Sequence, residues 1–198
     1  MTFAPIDKSA IAQIFERARS NNGWLPGAVP TETLRDLHRL ASWGPTSFNC
    51  EPMRLVFVTT EEGKKRLLPA LRPANVEKTM IAPVAVIVAY DSRFYDLIPK
   101  LLPHNPAARD LFVDNPKLVE ITAMRNGSLQ GAYLMIAARA LGLDCGPMSG
   151  FDNAKVDAEF FPDGRWRSNF LCGLGRGDPA KVMERLPRLS FDEACQIA

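Results

Sequence analysis

The stretch from Val84 to Ala89 reads Val-Ala-Val-Ile-Val-Ala, with no polar residue at either parity. A strand with one wet face alternates apolar and polar side chains. A run that is apolar at every position marks a central strand covered on both sides. The run is also far too short to span a bilayer. The chain must therefore build a sheet around this strand and supply helices for both of its faces. With 198 residues it has the length for one such unit, at about 150 residues per domain. We read residues 1–198 as a single domain.

The helices are legible on either side of the strand. Asp7 is placed to cap a first helix to about Ser20, with Ile11, Ile14, Phe15 and Ala18 on one face. Thr31 is placed to cap a second helix through Trp43, which turns Leu34, Leu37 and Ala41 inward and stops at Gly44-Pro45. Leu55 to Thr59 reads as a strand, and Thr60 as the cap of a short helix with acids first and bases last. Residues 91–117 carry Pro99, Pro103, Pro106 and Pro116 and read as an excursion over the surface.

The strongest helical pattern runs from about Leu118 to Leu141. Ile121, Ser128, Leu129, Ala132, Ile136 and Ala140 share a broad face, and Gly142 supplies the stop. So apolar a helix is either the central helix of the domain or half of a dimer interface. Asp152 caps another short helix to about Phe160, Asn169 to Gly175 reads as a strand, and Ser190 to Glu193 form a capping box. The order of elements is that of an α+β fold.

Charge and cysteine usage remove several function classes. Lys and Arg number 24 against 22 Asp and Glu, with no basic run, which argues against nucleic-acid binding. No stretch of 18 apolar residues occurs, and acids interrupt the N-terminus, so neither a membrane span nor a signal peptide is expected. Cys50, Cys145, Cys172 and Cys195 lie far apart, a poor pattern for zinc or for a disulfide framework. A reduced, cytoplasmic protein without a metal is the simplest account.

The chemistry-bearing motifs are few. Gly173-Leu174-Gly175-Arg176-Gly177 follows a strand, but a dinucleotide loop needs a further Gly where Asp178 stands. It reads as a strand end and turn. Gly146 and Gly150 flank Ser149 at the wrong spacing for a nucleophile elbow. With only His38 and His104, the chain has little for a histidine-based triad and is expected to borrow reactivity from a cofactor. Four polar segments stand out instead: Arg19-Ser20-Asn21-Asn22, Pro45-Thr46-Ser47-Phe48-Asn49, the pair Asn75 and Lys78, and Gly146-Pro147-Met148-Ser149-Gly150-Phe151-Asp152. Singly they read as a helix end, a turn, a solvated pair and another turn.

Taken together and in this order, the four segments resemble those of the FMN-dependent nitroreductase family, over nearly the whole chain. Asn22 stands where that family has a second basic residue, and Glu51 where it has Gln. The match is closer to one branch, the RutE/HadB-like malonic semialdehyde reductases of pyrimidine utilisation. It rests on the segments NNGW, WGPTS, MRNGSLQGAYL, GPMSGFD and RLPRLSFDEAC. The resemblance implies a nitroreductase-like fold, with a mixed, mainly antiparallel central sheet flanked by helices. It also implies a homodimer with sites at the subunit interface.

It further implies FMN as cofactor, NADH or NADPH as hydride donor, and a small-molecule acceptor reduced by ping-pong hydride transfer. The reaction implied for the branch is malonic semialdehyde to 3-hydroxypropionate. A broad nitroaromatic or quinone reductase and a non-catalytic flavin-binding protein are the alternatives.

On this resemblance Arg19 and Arg188 fork onto the FMN phosphate, with Arg185 the competitor of Arg188. Ser20 and Asn21 meet the ribityl hydroxyls, and Lys78 offsets the negative charge that reduction puts near N1. Asn49 and Asn75 pair with the pyrimidine edge, beside Pro45, Thr46 and Ser47. Pro147, Met148, Ser149 and Gly150 carry the turn whose backbone N–H, at Ser149 or Gly150, bonds N5. Phe48 and Arg125 are the substrate-facing candidates. Arg125 has two readings: a buried ion pair with Glu120 or Asp114, or a clamp for a substrate carboxylate.

Overall fold

The computed structural model of the protein describes residues 3–198. Its centre is the expected strand, β2 (Val84–Asp91), buried at all eight positions. β2 lies between β1 (Met53–Val58) and β4 (Trp166–Gly175), and β3 (Asp144–Met148) pairs with the far side of β4. All three pairings are antiparallel. The one parallel pairing among the described residues is an isolated bridge from Ser20 to Cys145, on the free edge of β3. Pro147 sits in that edge strand, where a residue lacking an N–H costs no interior ladder bond.

The two parities of β2 feed two layers. Val84, Val86 and Val88 pack with Leu34, Leu37 and Ala41 of α2 (Thr31–Ala41) and Leu134 and Ala138 of α7 (Pro116–Ala140). Ala85, Ile87 and Ala89 pack on the other side with Leu67 of α3 (Glu61–Leu67) and Val156 of α8 (Asn153–Phe160). Asp152 caps α8 and Thr60 caps α3, as their sequences predict.

Several sequence expectations are corrected. The first helix, α1 (Lys8–Ile11), is capped by Asp7 but passes into a π-helical turn over Ala12–Glu16, short of Ser20. Phe15 of its supposed inner face is exposed. In α2 the N-cap is Pro30, and Thr31 is already helical. A helix absent from the sequence reading, α4 (Pro73–Met80), carries Asn75 and Lys78, with Pro73 at its start where a missing N–H is harmless.

The Pro-rich excursion is no surface loop. Its short helical pieces, among them α5 (Ile98–Leu101) and α6 (Asp110–Val113), bury Phe94, Ile98, Ala108 and Phe112 against Tyr90 and Ala123.

In α7 the inward residues are Thr122, Ala123, Asn126, Gly127, Gln130, Gly131, Leu134, Ala137 and Ala138. Of the broad apolar face read from the sequence, Ile121, Ser128, Leu129, Ala132 and Ala140 are exposed and Ile136 is half-buried, so this face is not the one packed on the sheet. Close approach of the helix to the sheet is the reason. A Cβ on Gly131 would stand 2.7 Å from the Phe170 ring, and one on Gly127 3.3 Å from the Tyr90 Cβ. Small residues therefore take the inner positions, and the large apolar ones are left outside. No helix of the described residues is long and apolar enough to cross a membrane.

Candidate functional site

Beyond Glu16 the chain crosses the ends of β3 and β4. The Asn21 N–H donates to the Cys145 carbonyl (2.9 Å) and the Leu25 N–H to that of Arg176 (2.8 Å). Glycines make the groove for this segment. A Cβ on Gly146 would lie 2.4 Å from the Asn21 carbonyl oxygen, on Gly173 2.5 Å from the Trp24 ring, and on Gly177 2.2 Å from Asn21 Oδ1. The Gly-x-Gly-x-Gly run thus serves backbone packing. Trp24, the last residue of the NNGW segment and given no role from the sequence, donates its indole N–H to the Lys78 carbonyl (3.0 Å). Lys78 in turn donates through Nζ to Asn22 Oδ1 (3.3 Å). The signal for Trp24 was its place directly after the polar segment and beside a glycine.

From Lys78 the surface continues along α4 to Asn75. This buried amide donates to the Gly150 carbonyl at 2.7 Å, and the Arg72 N–H joins the same oxygen at 3.1 Å. A Cβ on Gly150 would come within 2.5 Å of Asn75 Nδ2, so only glycine permits the contact. The Gly150 N–H meets no protein acceptor among the described residues. Next to it Ser149 is exposed, Pro147 half-buried, and Met148 buried under the Thr79 hydroxyl. Arg19, Ser20, Asn21, Asn22, Lys78, Asn75 and the 147–150 turn therefore form one connected surface.

At its other end lies a cavity of about 400 Å³ lined by Arg19, Ser20, Asn22, Arg139, Glu184, Arg185 and Arg188, among others. Arg19 donates to the Met183 carbonyl, and Arg185 to the carbonyls of Glu16 and Ala18. Arg188 donates to the carbonyls of Leu186 and Pro187, both at 3.0 Å. Both C-terminal candidates thus reach the cavity. Arg139, missed in the sequence, joins them from the last turn of α7. Four permanently charged guanidinium groups around one space, with a single carboxylate, repel one another and favour an anion between them.

The remaining candidates form a second group. The Ser47 N–H donates to Asn126 Oδ1 (2.8 Å), the Asn49 amide to the Leu101 carbonyl (2.9 Å), and the Glu51 N–H to Thr46 Oγ1 (3.2 Å). Phe48, Asn49 and Glu51 have φ of 55°, 48° and 37°. Three non-glycine residues in the left-handed region are strained, and these side-chain clamps hold them there. Pro45 and Phe48 are exposed, and the Phe48 ring stands edge-on to Phe112, 6.0 Å away.

Arg125, next to Asn126, is exposed and makes no ion pair among the described residues. The buried pair with Glu120 or Asp114 is overturned, because Arg125 lies on the outward side of α7. Asn49 and Asn75 have different partners, the Leu101 and Gly150 carbonyls. Asn126 and Arg139 stand thirteen residues apart on α7, about 20 Å at the helical rise. A further cavity of about 350 Å³, between Tyr90, Tyr95, Glu120 and Arg167, contains none of the expected site residues.

An antiparallel sheet sandwiched by helices, with an arginine-lined cavity leading to a glycine turn, defines an α+β protein with a cationic surface. A model of the nitroreductase family matches residues 16–176, and the chain belongs to this family of oxidoreductases. It is 61% identical over 188 residues to a Cupriavidus pinatubonensis protein provisionally named NADH dehydrogenase/NAD(P)H nitroreductase. That match covers 94% of this chain and 96% of the relative. It is 56% identical to HadB of Ralstonia pickettii, which carries the same provisional name, over 96% of this chain and 97% of that one. Among solved structures, a nitroreductase-type protein of Exiguobacterium sibiricum in complex with FMN superposes with a TM-score of 0.86. Its identity is 19%, and the match covers both chains in full. YdfN of Bacillus subtilis superposes with a TM-score of 0.84 at 20% identity, over 97% of this chain and all of that one. These likenesses extend the fold to the whole chain.

Proposed function

We propose that the protein is an FMN-dependent NAD(P)H oxidoreductase, active as a homodimer, whose acceptor is malonic semialdehyde, reduced to 3-hydroxypropionate. The observation that carries the flavin reading is the continuous surface from the four-arginine cavity through Lys78 to Asn75 and the unpaired Gly150 N–H. It supplies anion binding, a cation and an amide edge in the order in which FMN presents phosphate, ribityl chain and ring. The relatives' names and the FMN-bound neighbour support the same cofactor and donor.

The roles follow from the chemistry of each group. Arg19 with Arg185 or Arg188 would hold the phosphate, and Ser20 and Asn21 the ribityl chain. Lys78, tied to Asn22 through Nζ and to Trp24 through its carbonyl, would lie beside the pyrimidine edge that Asn75 would read. The Gly150 or Ser149 N–H would donate to N5, in a turn that the Asn75–Gly150 contact holds in place. Bound FMN would supply the hydride relay from NAD(P)H to the acceptor. No side-chain nucleophile is required of the protein.

Pro45, Thr46, Ser47, Phe48, Asn49 and Arg125 would come from the second copy. Two observations support this. Asn126, which holds the Ser47 N–H, and Arg139, which lines the four-arginine cavity, stand about 20 Å apart along α7 in one chain. The outer face of α7 also exposes Leu118, Ile121, Met124, Leu129 and Tyr133, an apolar surface suited to a two-fold contact. Phe48 would then wall the ring from water, and Arg125 would offer a planar fork to the acceptor's carboxylate. We read residues 1–198 as one such domain, at work in the cytoplasm, where the free buried thiols stay reduced.

Absorbance and mass spectrometry of the released cofactor test the flavin, and FMN is the expected result. FAD, or no flavin affinity on reconstitution, overturns the reading. Steady-state NADH and NADPH oxidation with malonic semialdehyde, a nitroaromatic and a quinone tests the acceptor. Turnover of the nitroaromatic without the semialdehyde makes the protein a broad reductase, and no turnover at all makes it a flavin carrier.

A further inference from the structure

We propose that the cavity under the first turns of α7, between Tyr90, Tyr95, Glu120 and Arg167, is a binding site for a small aromatic monocarboxylate. It stands apart from the flavin reading, since none of the flavin-site candidates lines this cavity. Its volume, about 350 Å³, lies in the range of small-molecule sites.

The length of α7 creates the space. A Cβ on Gly131 would stand 3.6 Å from Val88, and one on Gly127 3.3 Å from the Tyr90 Cβ. The helix therefore runs antiparallel to β2, and its first turns pass beyond the end of the strand. It starts at Pro116, eleven residues before Gly127 and about 16 Å away along the axis. The Pro-rich segment packs Phe94, Ile98 and Phe112 beneath this overhang. The cavity is the part left open.

The polar groups converge from the sheet. Tyr90 and Arg167 are opposite one another in the β2–β4 ladder, so their side chains stand on the same face. Tyr90 is 6% exposed, and its hydroxyl bonds to no protein group among the described residues. Arg139 Nε is the one unpartnered side-chain atom there that is fully occluded. The Tyr90 hydroxyl thus keeps open surface, and the cavity it lines is where that surface lies. A tyrosine this buried normally has a partner for its hydroxyl. Burial raises its pKa, Arg167 opposes the rise, and Glu120 and Asp157 add to it. The hydroxyl stays protonated at neutral pH and can donate.

Arg167 is exposed and forms no ion pair among the described residues, whereas Arg93 at the rim is taken by Asp96 at 3.0 Å. The apolar wall is Val119 with Phe112 and Tyr95, whose rings are nearly parallel at 8°. A ligand ring suits this wall, and its carboxylate suits the Tyr90 hydroxyl and the Arg167 fork. Glu120 repels a second anionic group, which sets the ligand at one carboxylate and disfavours a phosphate dianion.

The test is amide chemical-shift mapping of the full chain titrated with benzoate and with neutral benzamide, each with and without added FMN. Benzoate should shift Ser92, Val119, Glu120 and Arg167, with a Kd on the order of 1 mM, in keeping with so small a probe. The same shifts should persist with FMN present. Arg167→Gln should weaken benzoate about 10-fold and bring it level with benzamide. Tyr90→Phe, which keeps the ring, should weaken it about 3- to 10-fold. Both variants should keep the wild-type melting temperature within about 4 °C.

Shifts confined to residues 147–150, or lost when FMN is added, would put benzoate in the flavin site and overturn the proposal. So would equal affinity for benzoate and benzamide in the wild type, unchanged benzoate affinity in both variants, or no shift up to about 10 mM.

Discussion

Asn75 donates its buried side-chain amide to the carbonyl of Gly150 at 2.7 Å, and it can do so only because Gly150 has no side chain. The bond ties the helix before the central strand to the turn after the edge strand. Both ends of the proposed ring site are thereby set by one contact.

Replacing Gly150 with Ala puts a methyl 2.5 Å from Asn75 Nδ2. Overpacking of this kind costs about 1–3 kcal/mol. Urea unfolding of Gly150→Ala, Asn75→Ala and the double variant checks the cause. The double variant should be more stable than the sum of the single losses, by at least about 0.5 kcal/mol. Strict additivity would mean that Asn75 yields without cost.

Arg125→Gln should raise the KM for malonic semialdehyde, with about 1–3 kcal/mol lost in kcat/KM. Reduction of a neutral quinone should barely change. The melting temperature should hold, since Arg125 is exposed and has no ion pair among the described residues. Equal losses for acid and quinone would retire the carboxylate clamp.

Acid stability should depend on Asp91. This buried carboxylate pairs with Arg54 and Arg165, each at 2.9 Å, and accepts the Arg93 N–H at 2.8 Å. Burial pushes its pKa up, but the Arg165 hydrogen bonds, the Arg93 N–H and the two guanidinium charges outweigh burial and hold it below the usual carboxylate range. A depressed folded value adds stability above the unfolded value of about 4, and that stability is lost as pH falls through the folded value. Asp91→Asn should cost about 3 kcal/mol at neutral pH and flatten the stability curve below about pH 4. Urea midpoints measured across that range decide. An acid limb unchanged in the Asn variant would assign it to other groups.

Leu129 is 48% exposed on the outer face of α7. Leu129→Glu should leave the monomer folded, because nothing buried is altered, and should shift sedimentation toward the single chain. If the variant keeps the mass of the wild type, the subunits meet elsewhere.

Much of the architecture was legible because it rests on local chemistry. The two-sided apolarity of Val84 to Ala89 foretold the central strand, and Asp7, Thr60, Asp152 and Ser190 foretold helix starts. Periodicity located the apolar face of α7 but left open whether it packs inside the domain or against a second copy, because pattern alone does not say what covers a face. Here Gly127 and Gly131 buy closeness to the sheet, while Asn126 and Gln130 face inward to receive the N–H groups of Ser47 and Met53. The spacing of those two pairs, each four apart, was the available signal.

Arg139 escaped notice because a basic residue in a last helical turn has a sufficient local explanation. Its shared cavity with Arg19 and Arg188 exists only after the chain ends come together. The strain at Phe48, Asn49 and Glu51 had no sequence mark at all, since no glycine stands there.

The amides of Asn126 and Gln130 carry one more consequence. They suspend both ends of the 47–53 segment from the inner side of a helix whose outer side is free to meet another copy. Any displacement of α7 on association is passed through two hydrogen bonds to the strained residues between them. In the proposed homodimer, assembly and the shape of that loop would be one equilibrium. On dilution, amide exchange at Ser47 and Met53 should quicken before the central strand loosens.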